Sequence, residues 1–239
     1  MENITLDLKE ELRRLGADIV GIGDITMLPA EVRKSMNYGI AVAVAIDPEV
    51  IRGIEKGPTI EYHDAYIKLN EKLDNIVTSG AQYIKSLGYD AFAQTVSEVS
   101  KTETEYSSIL PHKTVATRAG IGWIGKNAML VTKEYGSAVR LSVILTNACL
   151  QADQPINESN CKDCMCCKEA CPGEAITGTN WNIASFRDII FDPVKCRRTA
   201  RKITKERLNL EKTLCGKCVF VCPFTQVYLK NAPNRDVII

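Results

Sequence analysis

Two related cysteine runs decide how this chain folds. The first is CKDCMCCKEACP (residues 161–172), and a shortened copy, CGKCVFVCP, occupies residues 215–223. The first run has the spacing C-x2-C-x2-C-x3-C-P, which is typical of bacterial proteins that hold two iron–sulfur clusters. The second run lacks one cysteine, and Cys196 between the runs supplies it. Together they provide eight thiolates, enough for two [4Fe-4S] clusters with four cysteine ligands each.

The spacing also predicts how the eight cysteines are shared. In two-cluster ferredoxins the cysteine that precedes the proline ligates the other cluster. A structural zinc ion is the alternative, but it typically takes four ligands from paired C-x2-C groups. Crossed ligation predicts one ligand set of Cys161, Cys164, Cys167 and Cys222, and a second of Cys171, Cys196, Cys215 and Cys218.

Two cysteines are left over. Cys166 lies inside the first run and is either a bystander or an alternative ligand. Cys149 ends an apolar, strand-like run and is expected to be a small buried side chain. Disulfides are not expected, because nothing marks the chain for export and crowded cysteines in a cytosolic protein usually bind metal.

The composition is that of an ordinary globular protein. The chain has 239 residues, of which 45% are hydrophobic and 25% charged, with a formal net charge of +1. No global field therefore selects nucleic acid or a membrane. The first residues lack the basic and apolar regions of a signal peptide, and the longest apolar run, residues 40–46, is too short to span a bilayer. We expect a cytoplasmic, soluble protein without a membrane partner.

The hydrophobic pattern alternates between helical and strand-like segments, which favours an α/β layer architecture. A glycine at position 80 is expected to break or kink the longest helix. A polar loop at residues 151–160 separates this part from the cysteine runs. We expect helices at 6–15, 60–87 and 112–119, strands at 18–23, 38–46 and 89–95, and a hairpin formed by 128–132 and 139–146.

The segment LPHKTVATRAGIGWIGK (residues 110–126), followed by the two cysteine runs, resembles the epoxyqueuosine reductase family, whose more distant relatives are the corrinoid-dependent reductive dehalogenases. The stretch 118–126 is its most specific part, and residues 61–63 are similar more loosely. The resemblance covers roughly residues 60–225. It implies an α+β fold: an α/β cobalamin-binding domain of the reductive dehalogenase and nitroreductase type (residues 1–150), then a two-cluster bacterial ferredoxin-like domain (residues 151–239).

The resemblance also implies a cobalamin site in this segment, with no protein ligand to the cobalt. Three glycines would let the backbone approach a large flat ligand, Trp123 offers a rigid apolar face, and a lysine can meet a phosphate or propionamide. The alternative is a helix–strand turn that needs its glycines for packing. The candidate cobalamin-binding residues are His112, Lys113, Gly120, Gly122, Trp123, Gly125 and Lys126.

A catalytic acid is implied at a fixed distance before residues 118–120, where the family carries an aspartate. Counting back without gaps places Tyr106 there, with Glu105 beside it. A tyrosine is a weaker acid, with an ordinary pKa of about 10, yet it is the proton donor expected in the resembling dehalogenases. Tyr106, or Glu105, is therefore the candidate proton donor, and an ordinary loop or core contact is the alternative for both.

The resemblance implies an oxidoreductase that passes electrons through two [4Fe-4S] clusters to a corrinoid and then to a small substrate. The electron donor would be a low-potential protein such as ferredoxin or flavodoxin. The alternative is a non-catalytic, cobalamin-binding electron-transfer protein that reduces or carries the corrinoid for a partner, possibly a corrinoid protein. A plain ferredoxin-like carrier is a third reading. The family's further helical-repeat domain is not seen after the second cysteine run, so tRNA is not expected as the substrate.

A basic region spans residues 195–212. It could bind phosphates or an acidic electron-donor protein, and the alternative is a solvated helix face.

Overall fold

The computed structural model describes residues 2–102 and 108–232, which form two compact units. The first unit consists of the chain up to Val44, Lys68–Trp123 and Arg140–Asn157, and the second of Ala45–Ile67, Ile124–Val139 and the chain from Glu158 onward. The helices are α1 (Glu2–Arg14), α2 (Pro48–Gly53), α3 (Ile60–Ser86), α4 (Val96–Thr102), α5 (His112–Arg118), α6 (Cys166–Glu169), α7 (Pro193–Leu208), α8 (Lys217–Phe220) and α9 (Pro223–Asn231). The strands are β1 (Ile19–Asp24), β2 (Tyr38–Ala45), β3 (Ala91–Gln94), β4 (Trp123–Ile124), β5 (Leu130–Val131) and β6 (Val139–Thr146).

A four-stranded sheet forms the centre of the first unit, in the order β1-β2-β6-β3. Strand β1 runs antiparallel to β2, with Ile22 opposite Ile40, and β3 runs antiparallel to β6, with Ala93 opposite Ile144. The six inner residues of β2 are all buried, as expected for an apolar strand covered on both faces. The fold is therefore mixed α/β, and its strands and helices largely follow the hydrophobic pattern.

Helix α3 is continuous through Gly80, so the expected break at this glycine is wrong. A Cβ atom at this position would lie 2.6 Å from Leu12 Cδ2 and 2.7 Å from Ile144 Cδ1. Real side chains do not approach this closely, so the glycine lets α3 pack tightly within the first unit. Its role is close packing against Leu12 and Ile144.

The expected hairpin between residues 128–132 and 139–146 is also wrong. Strand β5 pairs with β4 in a two-stranded sheet, whereas β6 lies between β2 and β3 in the four-stranded sheet. An alternating apolar pattern identifies a strand but not its partner, and a Gly-containing turn at residues 133–136 only made a local pairing plausible.

The second unit is built mainly from short helices and turns around the cysteine runs. Helix α2 begins after Asp47, which caps it and accepts a hydrogen bond of 2.8 Å from the Glu49 amide. Helix α7 is capped in the same way by Asp192 and ends at Asn209, which has a left-handed conformation. None of the helices within the described residues is both long and apolar enough to cross a membrane.

Candidate metal centre

The two cysteine runs fold into the same local structure. Each has a short helix between equivalent cysteines. Helix α6 lies between Cys164 and Cys171 in the first run, and α8 lies between Cys215 and Cys222 in the second. The carbonyl oxygen of Met165 accepts backbone hydrogen bonds of 2.9 and 3.0 Å from the third and fourth residues after it, and that of Gly216 accepts two bonds of 3.0 Å in the same way. The two helices pack against each other. The sequence repeat is therefore a structural repeat within the second unit.

The first run has an additional turn before its helix. The Cys164 amide donates a bond of 2.9 Å to the Cys161 carbonyl oxygen, and Lys162 inside this turn has a φ of +46°. Left-handed backbone is unfavourable for a residue with a side chain, so the turn needs outside support. Two side chains donate to the Lys162 carbonyl oxygen, Lys126 Nζ at 2.7 Å and Asn180 Nδ2 at 3.0 Å. These contacts hold the turn that carries the first two cysteines.

The structure brings the four thiols of the first predicted set together. Burial raises the pKa of Cys167 to about 12, and the neighbouring thiols of Cys161, Cys222 and Cys164 contribute to this rise. All four border a cavity of about 110 Å³. The remaining residues that line this cavity are Lys126, Asn127, Val131, Pro223 and Phe224.

The four thiols of the second set also lie together. Burial raises the pKa of Cys196 to about 11, with the thiols of Cys171 and Cys215 as further causes. The pKa of the Cys218 thiol is raised first by burial and then by Cys215, Cys196, Cys167 and Cys171. Because Cys167 of the first set is among these neighbours, the two sets are adjacent. Each set combines cysteines from both runs, which is the arrangement that crossed ligation requires.

This donor set suits iron–sulfur clusters. A cysteine binds metal as a thiolate, and four partly buried thiolates close together repel one another unless a positive group lies between them. A single zinc ion would need its sulfur ligands about 2.3 Å from one point. Among residues 2–102 and 108–232, no three His, Cys, Asp or Glu side chains are arranged for a single ion. Four thiols around a cavity fit a larger, cube-shaped group. That iron is bound by these residues stays a prediction.

The two remaining cysteines are both exposed. For Cys149 the expected burial is wrong: its neighbours in the sequence, Ala148 and Leu150, are buried while its own side chain points outward, near Tyr38. Cys166 opens helix α6 and lies next to Cys164, whose hydrogen bond is the main cause that raises the pKa of Cys166. None of the ten cysteines, all within the described part of the chain, forms a disulfide.

Lys126 lines the same cavity as the first set of thiols. Its side chain is only 2% exposed and lines the cavity, and its ammonium group also lies 3.8 Å from Met165 Sδ. The structure thus places this residue, expected at a cobalamin phosphate, beside the cysteines.

Other residues of the expected cobalamin segment are packed against protein atoms. Gly120 has a φ of +67°, and a Cβ there would lie 2.4 Å from the Gln154 carbonyl oxygen. A Cβ at Gly125 would lie 2.7 Å from both Asn127 Oδ1 and Val131 Cγ2. Gly122 is buried and Trp123 is 1% exposed. Gly120 and Gly125 therefore serve close internal packing, and cobalamin binding by this segment stays a prediction.

His112 and Lys113 lie in the first turn of α5 in the first unit. Burial lowers the pKa of His112, and its Nδ1 lies 3.0 Å from the Leu141 carbonyl oxygen. The Nε2 atom of His112 is buried, and it has no hydrogen-bond partner among the described residues. The candidate proton donors Tyr106 and Glu105 lie outside the described residues, so their role stays a prediction.

The sequence analysis missed two features of this site. Asn180 supports the Lys162 turn from a loop with no pattern of its own. Asn127 follows a residue of the resembling segment, and its Nδ2 donates to Ser137 Oγ at 3.1 Å and to the Cys218 carbonyl oxygen at 3.4 Å. The position of Asn127, next to Lys126, was the one available signal.

The fold is shared with two groups of solved structures. A catabolic reductive dehalogenase superposes with a TM-score of 0.69 at 20% identity, over 91% of this chain and 31% of the other. An epoxyqueuosine reductase in complex with a tRNA-Tyr stem loop gives a TM-score of 0.61 at 22% identity, over 94% and 66% of the respective chains. These likenesses define a mixed α/β fold of the reductive dehalogenase and epoxyqueuosine reductase type.

Sequence comparison points to one of these two groups of proteins. Epoxyqueuosine reductase of Bacillus subtilis is 40% identical over 169 residues, which cover 70% of this chain and 38% of that protein. The enzyme of Atelocyanobacterium thalassa is 34% identical over 128 residues, which cover 53% and 41%. No family model matches. The chain is a relative of the epoxyqueuosine reductases, as the resemblance predicted, and it matches about two fifths of the length of these relatives.

Proposed function

We propose that this protein is an iron–sulfur oxidoreductase that passes electrons through two [4Fe-4S] clusters to a corrinoid, and from there to a small substrate. The observation that carries the proposal is the convergence of eight thiols into two adjacent sets of four. Each set draws cysteines from both runs, and each has the number of ligands that one cluster needs. The ferredoxin-like organisation of residues 151–239, with the α/β part before it, belongs to the same proposal.

The protein's own residues fix the clusters and set their surroundings. Repeated backbone hydrogen bonds in α6 and α8 hold the cysteines of each run at the same spacing. Lys126 and Asn180 hold the Lys162 turn, and Lys126 lines the cavity that the first set of thiols borders. The clusters, when bound, supply one-electron transfer, with potentials tuned by nearby charge, hydrogen bonds and solvent exposure.

The corrinoid part of the proposal rests on the relatives and on the shared fold. Gly120 and Gly125 pack closely against protein atoms, and no step of the reaction is assigned to this segment. Tyr106 or Glu105 is proposed as the proton donor to the product, on the resemblance alone. tRNA is not proposed as the substrate.

An alternative is an electron-transfer protein without catalytic activity of its own, which reduces or carries a corrinoid for a partner. The same eight thiols support it, since two adjacent clusters can pass electrons whether or not the chain acts on a substrate of its own.

The test is a titration of anaerobically reconstituted protein with cobalamin, followed by visible and EPR spectroscopy. Stoichiometric binding with a base-off Co(II) signal supports a corrinoid site. Tyr106→Phe then separates the two readings, because an enzyme would still reduce cobalt and lose product protonation. Intact cluster spectra without cobalamin binding would leave an electron carrier. Stoichiometric zinc in a colourless protein would overturn the whole proposal.

A further inference from the structure

Helix α7 carries a strongly cationic exposed face. Six of the twelve residues at 194–205 are Lys or Arg, and none is acidic. The side chains of Lys202 and Lys205 are 73% and 54% exposed, and their ion pairs with Glu206 and Glu211 are long, at 3.9 and 3.7 Å. Solvated pairs of this kind contribute little and leave most of the positive charge available to a partner.

Four of the six cationic side chains share one side of α7. At 100° per residue, Lys195, Arg198, Lys202 and Lys205 follow one another along one stripe, and all four are exposed. Ala200 and Thr204 on the other side are 3% and 0% exposed. Cys196 lies four residues before Ala200 and thus on this inner side. A thiol of the second set is therefore attached to the inner side of the cationic helix.

Apolar side chains are exposed in the segment that leads into α7. Ile183, Phe186, Ile189 and Val194 are between 44% and 81% exposed, although they fall within only twelve consecutive residues. Scattered exposed hydrophobic residues are normal, but several of them in a short segment that leads into a charged helix are typical of an interaction site. Val194 itself belongs to the first turn of α7.

We infer that the cationic stripe of α7, with the apolar residues of segment 183–194, is the docking surface for a small acidic electron-transfer protein. This inference rests on the proposed function, because it requires a cluster at Cys196. An α-helix is about 10 Å wide with its side chains. A partner seated on the outer side of α7 therefore comes within about one helix width of the Cys196 thiol. Nucleic acid would meet the same positive charge, but it gains nothing from proximity to a cysteine thiol.

The electron balance is simple. The reduced partner gives up one electron and is oxidised by one equivalent. The cluster at Cys171, Cys196, Cys215 and Cys218 takes that electron and changes from the 2+ to the 1+ state. No proton or atom is transferred in this step.

The experiment uses an acidic flavodoxin, reduced to its hydroquinone, as the donor to the full reconstituted chain. Stopped-flow absorbance follows cluster bleaching. Arg198→Glu combined with Lys202→Glu reverses two charges of the stripe. Lys56→Glu combined with Lys133→Glu is the matched control, since both lysines are exposed in the same unit and the net charge changes equally.

We expect the stripe variant to lower the second-order rate constant at least tenfold at low ionic strength, because steering by charge contributes about 10- to 1,000-fold to association rates. The difference should shrink at an ionic strength of about 0.15 M. The control should stay within about twofold of wild type by the same reasoning, since its lysines lie outside the stripe. Titration calorimetry with the flavodoxin should show weaker binding to the stripe variant only.

Equal rate losses in both double variants, or an unchanged rate in the stripe variant, would overturn the docking surface. A third opposing result is an RNA stem loop that binds wild type and loses binding in the stripe variant while the donor rate stays the same. Bleaching by excess dithionite distinguishes a failure of the docking surface from a failure of the proposed function. A wild-type protein with no bleachable cluster refutes the proposed function itself, whereas normal bleaching in every variant confines any failure to docking.

Discussion

The ammonium group of Lys126 donates a 2.7 Å hydrogen bond to the carbonyl oxygen of Lys162, inside the turn that joins Cys161 to Cys164. One lysine thus holds a left-handed residue in place and brings a buried positive charge to the edge of the thiol-lined cavity. Support of the turn and tuning of the bound group are therefore functions of the same side chain.

Replacing Lys126 with methionine should affect both functions. A hydrogen bond to a charged group contributes about 1.5–3 kcal/mol, so we expect a stability loss of that size in chemical unfolding of the reconstituted protein. Losing the positive charge should also lower the reduction potential of the first cluster, because a reduced cluster is more negative. EPR-monitored redox titration measures this change. Lys133→Met, at an exposed position, is the control. A first-cluster potential that rises or does not move would contradict the assignment.

Serine variants test the crossed ligand sets. Wild type should hold about eight irons per chain, and Cys196→Ser should hold about four, in the first cluster. Adding Cys222→Ser should remove the remaining cluster, whereas adding Cys171→Ser should not. Iron analysis with EPR provides the measurement. In an uncrossed arrangement the two double variants would give the opposite results. Cys166→Ser is the matched control next to Cys167 and should retain all iron.

The burial of His112 predicts a stability that decreases in acid. Burial, helped by nearby Arg140, lowers its pKa, while the Leu141 carbonyl oxygen and Asp74 act in the other direction. Below a pH of about 6.5 the unfolded chain therefore binds a proton that the folded protein refuses. This histidine's contribution is fully present above that pH and is lost as the pH falls through the lower, folded-state value.

Urea unfolding as a function of pH checks this prediction. A pKa difference of one between the folded and unfolded states corresponds to about 1.4 kcal/mol. His112→Asn should flatten the profile between about pH 7 and 5, the range in which an ordinary histidine titrates. His63→Gln, which changes the other histidine of the chain, should keep the wild-type slope. An unchanged slope in His112→Asn would show that other groups cause the acid sensitivity.

Alanine substitutions at two glycines with positive φ distinguish the cost of backbone strain from the cost of a steric clash. Gly88 has a φ of +88°, and a Cβ there would meet no other atom within 4 Å, so Gly88→Ala should cost only about 1–2 kcal/mol. Gly136 has a φ of +57°, and a Cβ there would lie 2.2 Å from the Thr225 backbone nitrogen. Gly136→Ala should cost about 1–3 kcal/mol more.

Thermal unfolding and iron content measure both effects. Because Thr225 follows Cys222 closely, Gly136→Ala should also lower the iron content of the first cluster, and Gly88→Ala should not. Equal destabilisation by the two substitutions would mean that the backbone at Thr225 moves away without cost.

The local sequence pattern predicted the helices and strands better than it predicted which strands pair with each other. The apolar run of β2 and the period of α3 identified both correctly, since burial on two faces or one leaves a direct trace in the sequence. Strand pairing was missed, because β6 finds its partners far along the chain. Gly80 was misread, since the same residue serves a kink or a close approach, and only the neighbouring side chains distinguish them.

The same limit applies to the site. Cysteine spacing predicted which thiols lie together, because covalent distance along a short run restricts where each sulfur can lie, and their ligation of iron stays a prediction. The role of Lys126 was not accessible, since its partner is a backbone carbonyl that has no signature in sequence. Asn180 escaped notice for the same reason.

The structural repeat of α6 and α8 bears on how the protein matures. In the proposed ligation, three ligands of the first cluster leave the ribosome within seven consecutive residues, but Cys222 emerges much later. The ligands of the second cluster come from three separate segments, which contain Cys171, Cys196 and the pair Cys215 and Cys218. A nascent chain can therefore offer an incomplete first site long before either site can close. Delivery of preformed clusters before Cys222 is synthesised would leave one iron open to water and oxygen, so cluster insertion is best timed after Cys222 has emerged from the ribosome.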